Sequence, residues 1–458
     1  MADYFARRNP LLSYIRRLVP RTVVLGIAVV SVLGLLAAAC GDGEKQAAGE
    51  PEGASRDART PIVVPAGEPI VVGISAPLTG PDSVAGTEDH DSALVGIMRW
   101  KAANGDQIRG HHIAVRAEDD GCTEADITVQ AAERLSRQEG LVGVIGPDCS
   151  AGAQAAIPVY ASAGITAISG SATQSDLATA QPEDGFFFRT AYRNDLAGIL
   201  AGLFTSELLQ AQSVYLVDDG ELYGTDLADN AQDVMEAAGI EVARESIQRE
   251  MVDFSELSAR IARENPDLVG FAGFNPEAAL FYRQLRDAGY TGLFGAGDAA
   301  WGPPFVDPVG REAAEGVFFI GCALSLPEDF VADFESLRGH PPRDSAFSAQ
   351  YADAATILLD AVSDVAVENG DGSLSIDPLE LRDAVRATEL QDGISGRIAF
   401  DENGDRLPPG AVSLSAFIDL AVRAADLDTF AAELGLVACH VQGGKTVNLT
   451  GPGAPPFP

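Results

Sequence analysis

LVGVIGPDCSAGAQAAIPVYASAGITAISGSATQS, residues 141–175, decides how this chain is read. Residues 141–145 are a short apolar run that stops at Gly146-Pro147. Cys149-Ser150 then opens a helix-like run over 151–163, which Gly164 ends. Residues 165–168 are a second apolar run, with Ser169-Gly170-Ser171-Ala172-Thr173 as its exit. The order is strand, turn, helix, strand, turn. Both turns carry small hydroxyl side chains and no bulk. In an open α/β sheet such turns lie side by side at the carboxyl ends of the strands, where ligands bind. A helix opening there presents unpaired N–H groups to an anion. Ser150, Ser171 and Thr173 are therefore expected to hold a small carboxylate or zwitterion. The competing reading is two ordinary turns rich in Ser, Thr and Gly.

The same alternation runs outward in both directions. Upstream lie a strand at 70–74, a helix at 85–103, a strand at 112–117 and a helix at 124–138 with Thr123 as its N-cap. Residues 186–190 form an apolar segment leading into new material, a first crossover. Beyond it are helices at 194–210, 254–264 and 277–288, and strands at 213–217, 241–247, 268–272 and 293–295. Strands alternating with helices of this length mean βαβ units and a parallel sheet. A chain of 458 residues exceeds one ordinary core, so the repeat reads as a second lobe. Residues 316–320 suggest a second crossover, and helices at 329–337 and 345–367 a return to lobe one. Residues 393–407 read as a hairpin, 414–420 as a last strand and 425–435 as a short helix before a Gly- and Pro-rich tail. Residues 401–405 resemble part of a calcium loop but lack its full spacing, so a hairpin turn is the better reading. The predicted fold class is α/β, with two doubly wound parallel-sheet lobes. The predicted division is a signal segment at 1–40, a tether at 41–68, lobe one at 69–190 plus 321–392, lobe two at 191–320 plus 393–424, and a C-terminal extension at 425–458.

The net charge of −36 argues against nucleic acid and an anionic membrane surface as partners. The N-terminus is laid out as a signal peptide: Arg7, Arg8, Arg16, Arg17 and Arg21 precede an apolar run at 22–39 that ends in Cys40-Gly41. LLAAAC resembles a bacterial lipobox, although Ala37 stands where a branched aliphatic is preferred. Lipidation at Cys40 is expected; an uncleaved anchor of near-spanning length is the alternative. Either way, the chain beyond Cys40 is exported. Four cysteines remain. Cys122 and Cys149 lie just after two strand exits that adjacent parallel strands bring together, so they are paired. Cys322 is left to Cys439 by elimination. The cysteines are far apart in sequence and no histidine sits at ligand spacing, so neither metal nor cofactor is expected.

The segments VGISAPLTGP, EDDGC, VIGPDCSAG, AISGSAT, FFRTAY, YGTDLA, DFSELSARI, PDLVGFAGFNPEAA and FDENGD occur in an order and spacing that resembles the periplasmic leucine/isoleucine/valine-binding proteins, the type I solute-binding proteins of ABC importers. The resemblance covers residues 70–420. It implies two lobes joined by three hinge crossovers and closing on a ligand that an ABC permease receives. It also implies a disulfide at Cys122 and Cys149. Ser150 matches the serine that holds the ligand carboxylate. Thr173 matches a threonine touching carboxylate and ammonium. Ser171, beside Ala172, sits where a backbone carbonyl takes the ammonium. Tyr223 matches a tyrosine that closes over the ligand. Three positions depart: Ala85 and Phe274 replace tyrosines, and Asp298 best matches the glutamate that binds the ammonium. A bulkier ligand than valine fits the loss at Ala85.

Two other classes compete with this reading. Cys149 at a helix N-terminus is the candidate nucleophile of an enzyme. None of His90, His111, His112, His340 and His440 shows a motif with it, and pairing to Cys122 would abolish it. No Gly-x-Ser-x-Gly elbow is present. A ligand-sensing receptor component is the second alternative to transport. The expectation is binding without chemistry.

Overall fold

The computed structural model describes residues 58–182, 185–323, 325–407, 438–442 and 445–449. Two strands open this part, β1 (Ile62–Val64) and β2 (Ile70–Ala76). All seven residues of β2 are buried. A run apolar on both faces belongs in the middle of a parallel sheet. β2 lies there, parallel to β4 (His111–Asp119) on one side and β5 (Leu141–Ile145) on the other. β3 (Gln107–Ile108) extends one edge, and β6 (Ala167–Ser169) and β7 (Phe187–Arg189) the other. Helices α1 (Ser83–Asn104) and α10 (Ser348–Val365) cover one face through Ala93, Ile97, Ile357 and Leu358. α2 (Ala125–Ser136) and α3 (Ser150–Ala163) cover the other through Leu135, Ala153 and Ala156. A Cβ at Gly96 would stand 2.5 Å from the Ala352 carbonyl oxygen, so glycine lets α1 and α10 meet this closely. Gly164 ends α3 in the left-handed conformation, as its sequence predicts.

Lobe two repeats the plan. β8 (Ser213–Asp218), β9 (Glu241–Ser246), β10 (Leu268–Ala272), β11 (Leu293–Ala296) and β12 (Phe318–Ile320) run parallel in the order β9-β8-β10-β11-β12. α4 (Asn194–Leu203) and α5 (Leu222–Ala237) pack together over one face. α6 (Ser255–Glu264) and α7 (Glu277–Asp287) pack against Val269, Phe271 and Phe294 on the other. The two expected disulfides are both present, Cys122–Cys149 and Cys322–Cys439.

Three expectations are corrected. The tether does not run to residue 68, because β1 pairs with β14 (Leu374–Ile376) and buries Ile62 and Val64. Three residues between prolines are too few to show a strand period. The C-terminal region is not an appendage beyond lobe two. β17 (Ala438–Gln442) pairs antiparallel with β12, and β18 (Lys445–Asn448) extends the same sheet. Two short runs around Gly443-Gly444 carry a hairpin signal, hidden in the sequence by the Gly- and Pro-rich tail around it. Finally, the hairpin β15 (Glu389–Gly393) with β16 (Gly396–Ala399) sits on lobe one, not lobe two. The Asp353 carboxylate of α10 accepts from the Ile394 and Ser395 N–H groups at 2.8 Å each. In the next turn, Asp401 accepts from the N–H groups of Asn403, Gly404 and Asp405. No metal-ligating cluster exists among the described residues. Cys40, the apolar run at 22–39, the strand expected at 414–420 and the helix expected at 425–435 lie outside the described residues.

Candidate functional site

The residues after β2, β5 and β6 in lobe one and after β8, β10 and β11 in lobe two line one cleft of about 720 Å³. These are carboxyl ends of parallel strands, where ligands bind in such sheets. Six of the eight expected site residues line it: Ala85, Ser150, Ser171, Tyr223, Phe274 and Asp298. Ala172 and Thr173 do not reach it. Both are fully buried, and the Thr173 hydroxyl has no partner.

The reason lies in Arg189, at the end of β7. Its guanidinium is fully buried and donates to the carbonyls of Ala172 (3.0 Å), Gln174 (2.6 Å) and Ser175 (3.1 Å) and to Asp405 Oδ1 (2.6 Å). The Asn194 N–H donates to the Thr173 carbonyl at 2.7 Å. Loop 172–175 is thus held from behind, by a charge that burial forces into full pairing. The hydroxyl of Ser150 accepts from the Gln174 N–H at 3.2 Å. Ser171 Oγ donates toward Asp148, 2.8 Å from its carbonyl and 2.5 Å from Oδ1, and lies 2.8 Å from the Tyr351 hydroxyl.

On lobe two, the Tyr223 hydroxyl donates to Asp298 Oδ1 at 2.6 Å. Burial pushes the Asp298 carboxyl up to about 7, against the pull of the Tyr223 and Tyr192 hydroxyls. Phe274 packs on Tyr223 with ring centres 5.2 Å apart and carries the Arg249 guanidinium 4.6 Å above its ring.

Several cleft residues escaped the sequence reading. Asp148 and Asp89 line lobe one and are buried. Burial pushes Asp148 up to about 6, although the Ser171 hydroxyl opposes this. Burial, and then the Asp148 carboxyl, hold Asp89 well above the ordinary carboxylate value. Asp148 stands inside the decisive stretch but reads as turn punctuation. Asp89 stands in a polar patch of α1 whose burial only tertiary packing reveals. Beside it, Glu88 accepts from the N–H groups of Arg343, Asp344 and Ser345, which fixes the loop at the cleft mouth. Trp301 and Phe347 add aromatic wall. Arg249, after β9, crosses between lobes to Asp82 at 2.8 and 3.0 Å. Ser175 and Asp226 make a second interlobe link at 2.9 Å. Cys149 is bonded to Cys122 and so carries no free thiol for an enzymatic nucleophile.

Two doubly wound lobes that meet over a polar cleft define a type I binding-protein fold. The family model described as periplasmic binding protein matches residues 69–414, and the chain belongs to that family. It is 27% identical over 348 residues to the leucine-, isoleucine-, valine-, threonine- and alanine-binding protein of Pseudomonas aeruginosa, an alignment covering 74% of this chain and 88% of that one. Among solved structures it is similar to the branched-chain amino acid transporter substrate-binding protein LivJ of Streptococcus pneumoniae in complex with isoleucine. There the TM-score is 0.68 at 22% identity, covering 82% and 97% of the two chains. A solute-binding protein of an ABC transporter from R. palustris, in complex with benzoate, gives a TM-score of 0.66 at 19% identity over 83% and 96%. At those identities the solved structures establish the fold alone. The relatives are binding proteins, and the family places the chain outside the cytoplasm.

Proposed function

We propose that this chain is the solute-binding component of an ABC importer, tethered to the outer face of the cell membrane through lipidated Cys40. It holds a small amino acid, or a related carboxylate or amide, in the interlobe cleft and presents the closed form to permease subunits. The observation that carries this reading is the convergence of strand ends from both lobes on one cleft that includes six of the expected residues. A ligand drives closure only by binding the closed form better than the open one. Contacts from Tyr223, Phe274 and Asp298 on lobe two supply that difference. The N-terminus of α3 at Ser150 offers N–H groups to an acidic group, and Asp298 faces an amino or amide nitrogen.

Thermal-shift screening of amino acids, aromatic acids, amides and amines tests the binding reading. A hit should raise the melting temperature in proportion to the logarithm of its concentration and change the fluorescence of Trp301 in the cleft. Failure of every class to shift the melting temperature refutes it. Replacement of Cys40 by alanine should release the protein from the membrane fraction; unchanged retention refutes the lipid tether.

A further inference from the structure

The cleft is lined by five carboxylates, Asp82, Asp89, Asp148, Asp298 and Asp344, and by no Lys, Arg or His among the described residues. Two of the five have cationic neighbours outside the lining. Arg249 pairs with Asp82 at 2.8 Å, and the Arg343 Nε lies 3.7 Å from Asp344. Asp89, Asp148 and Asp298 make no ion pair among the described residues. Clustered acids alone indicate nothing about a ligand; a separate feature at Asp148 does. Its side chain is 7% exposed, Oδ1 is taken by Ser171, and Oδ2 is buried without a donor while the residue lines the cavity. A buried acceptor left unpaired is costly unless something else supplies the hydrogen bond. Across the cleft, Asn275 Oδ1 is a second buried acceptor without a donor. Tyr223, Phe274, Trp301 and Phe347 furnish ring faces around them, and ring faces attract cations.

We propose that the lobe-one wall at Asp89 and Asp148 is a subsite for the positively charged nitrogen of a small organic cation, an amine, amidine or guanidine. This narrows the proposed ligand to molecules of net positive charge, and it rests on the reading of the cleft as a ligand site. The nitrogen donates to Asp148 Oδ2 and to the neighbouring Asp89 carboxyl. Asp89 is kept in place by the Ser345 hydroxyl at 2.6 Å. A second nitrogen of the same ligand meets Asp298 on lobe two. A plain anion such as benzoate would face three carboxyls with no cation to offset them. A metal ion fits poorly, since no group of three or more ligating side chains is gathered among the described residues.

Calorimetry on the purified full-length chain tests this with agmatine, L-arginine and putrescine against L-leucine and benzoate. The expected result is that at least one of the three cations binds about tenfold or more tighter than either leucine or benzoate. Asp148→Asn should weaken that cation by about tenfold or more, the scale of a lost charge-assisted hydrogen bond, and leave the melting temperature close to that of the parent. Leucine or benzoate binding as tightly as every cation overturns the proposal while leaving the cleft reading intact. So does an unchanged cation affinity in Asp148→Asn. Should Asp148→Asn fail to fold, the ranking of the five probes on the parent protein decides the matter alone. If none of the probes binds and the wider thermal-shift screen is also blank, the cleft reading falls and this proposal with it.

Discussion

The two walls of the cleft are built in different ways. Lobe one presents short loops whose polar atoms are already engaged: carbonyls of loop 172–175 on Arg189, Ser171 on Asp148, and Glu88 on three N–H groups of the facing loop. Lobe two presents rings, Tyr223, Phe274 and Trp301, with the single Tyr223–Asp298 hydrogen bond among them. The first wall is stiff and its donors and acceptors are fixed in place before any ligand arrives. The second is a soft surface that gains contacts as it closes. Specificity thus belongs to lobe one and the energy of closure to lobe two.

Substitutions can break this contrast, beginning with the largest effect. Arg189→Ala leaves Asp405 and three carbonyls without their buried donor, which should cost about 3–5 kcal/mol of stability. Denaturant unfolding checks this, and a loss below about 1 kcal/mol would show that the stiff wall does not depend on Arg189. The next is pH. Asp120, Asp148 and Asp298 are raised by burial to about 7, 6 and 7. The folded protein therefore binds protons that the unfolded chain, near its usual value of 3.8, has released. This contribution is full below about pH 4 and is lost as pH rises through about 7. The melting temperature of the ligand-free protein should accordingly fall from pH 5.5 to 8, both approximate limits of that window. A flat profile by scanning calorimetry would contradict the assignment.

Lobe two should respond more mildly. Tyr223→Phe removes one hydrogen bond to a carboxylate and should reduce ligand affinity about tenfold with little loss of stability; equal affinity would show that Asp298 needs no support from lobe two. Arg249→Met removes the interlobe pair with Asp82 and should shift the ligand-free protein toward open forms, visible as a larger radius of gyration by small-angle scattering. The smallest effect is expected at Thr173→Val. Its hydroxyl is buried, unpartnered and off the cavity, so affinity should change by less than about threefold. A large loss by calorimetry would return Thr173 to the binding wall.

Much of this arrangement is legible in the sequence because it is local. The apolar run at 141–145, the helix stopped by Gly164 and the paired exits of Cys122 and Cys149 all come from short-range pattern. The same holds for the repetition of that pattern in lobe two. What escapes is tertiary. Asp89 and Asp148 lie 59 positions apart in the numbering and become one subsite only when β5 delivers its exit turn beside the first turns of α1. Arg249 lies just past a strand edge and gives no sign in sequence that it will reach Asp82. Thr173 looks like a ligand contact because its neighbours are; Arg189, sixteen residues on, turns that loop away from the cavity. Trp301 is within reach of a careful reading, three residues beyond Asp298 in the β11 exit.

The Cys322–Cys439 bond, with a sequence separation of 117, has a consequence for the integrity of the chain. The return excursion through lobe one, including α10 and the hairpin β15–β16, becomes a closed covalent ring fastened at the far side of lobe two. A protease that cuts once anywhere between the two cysteines opens the ring without releasing a fragment. On a gel the nicked protein would migrate as one species until reductant is added. For a protein that works outside the cell, among proteases, a single scission need not end its service.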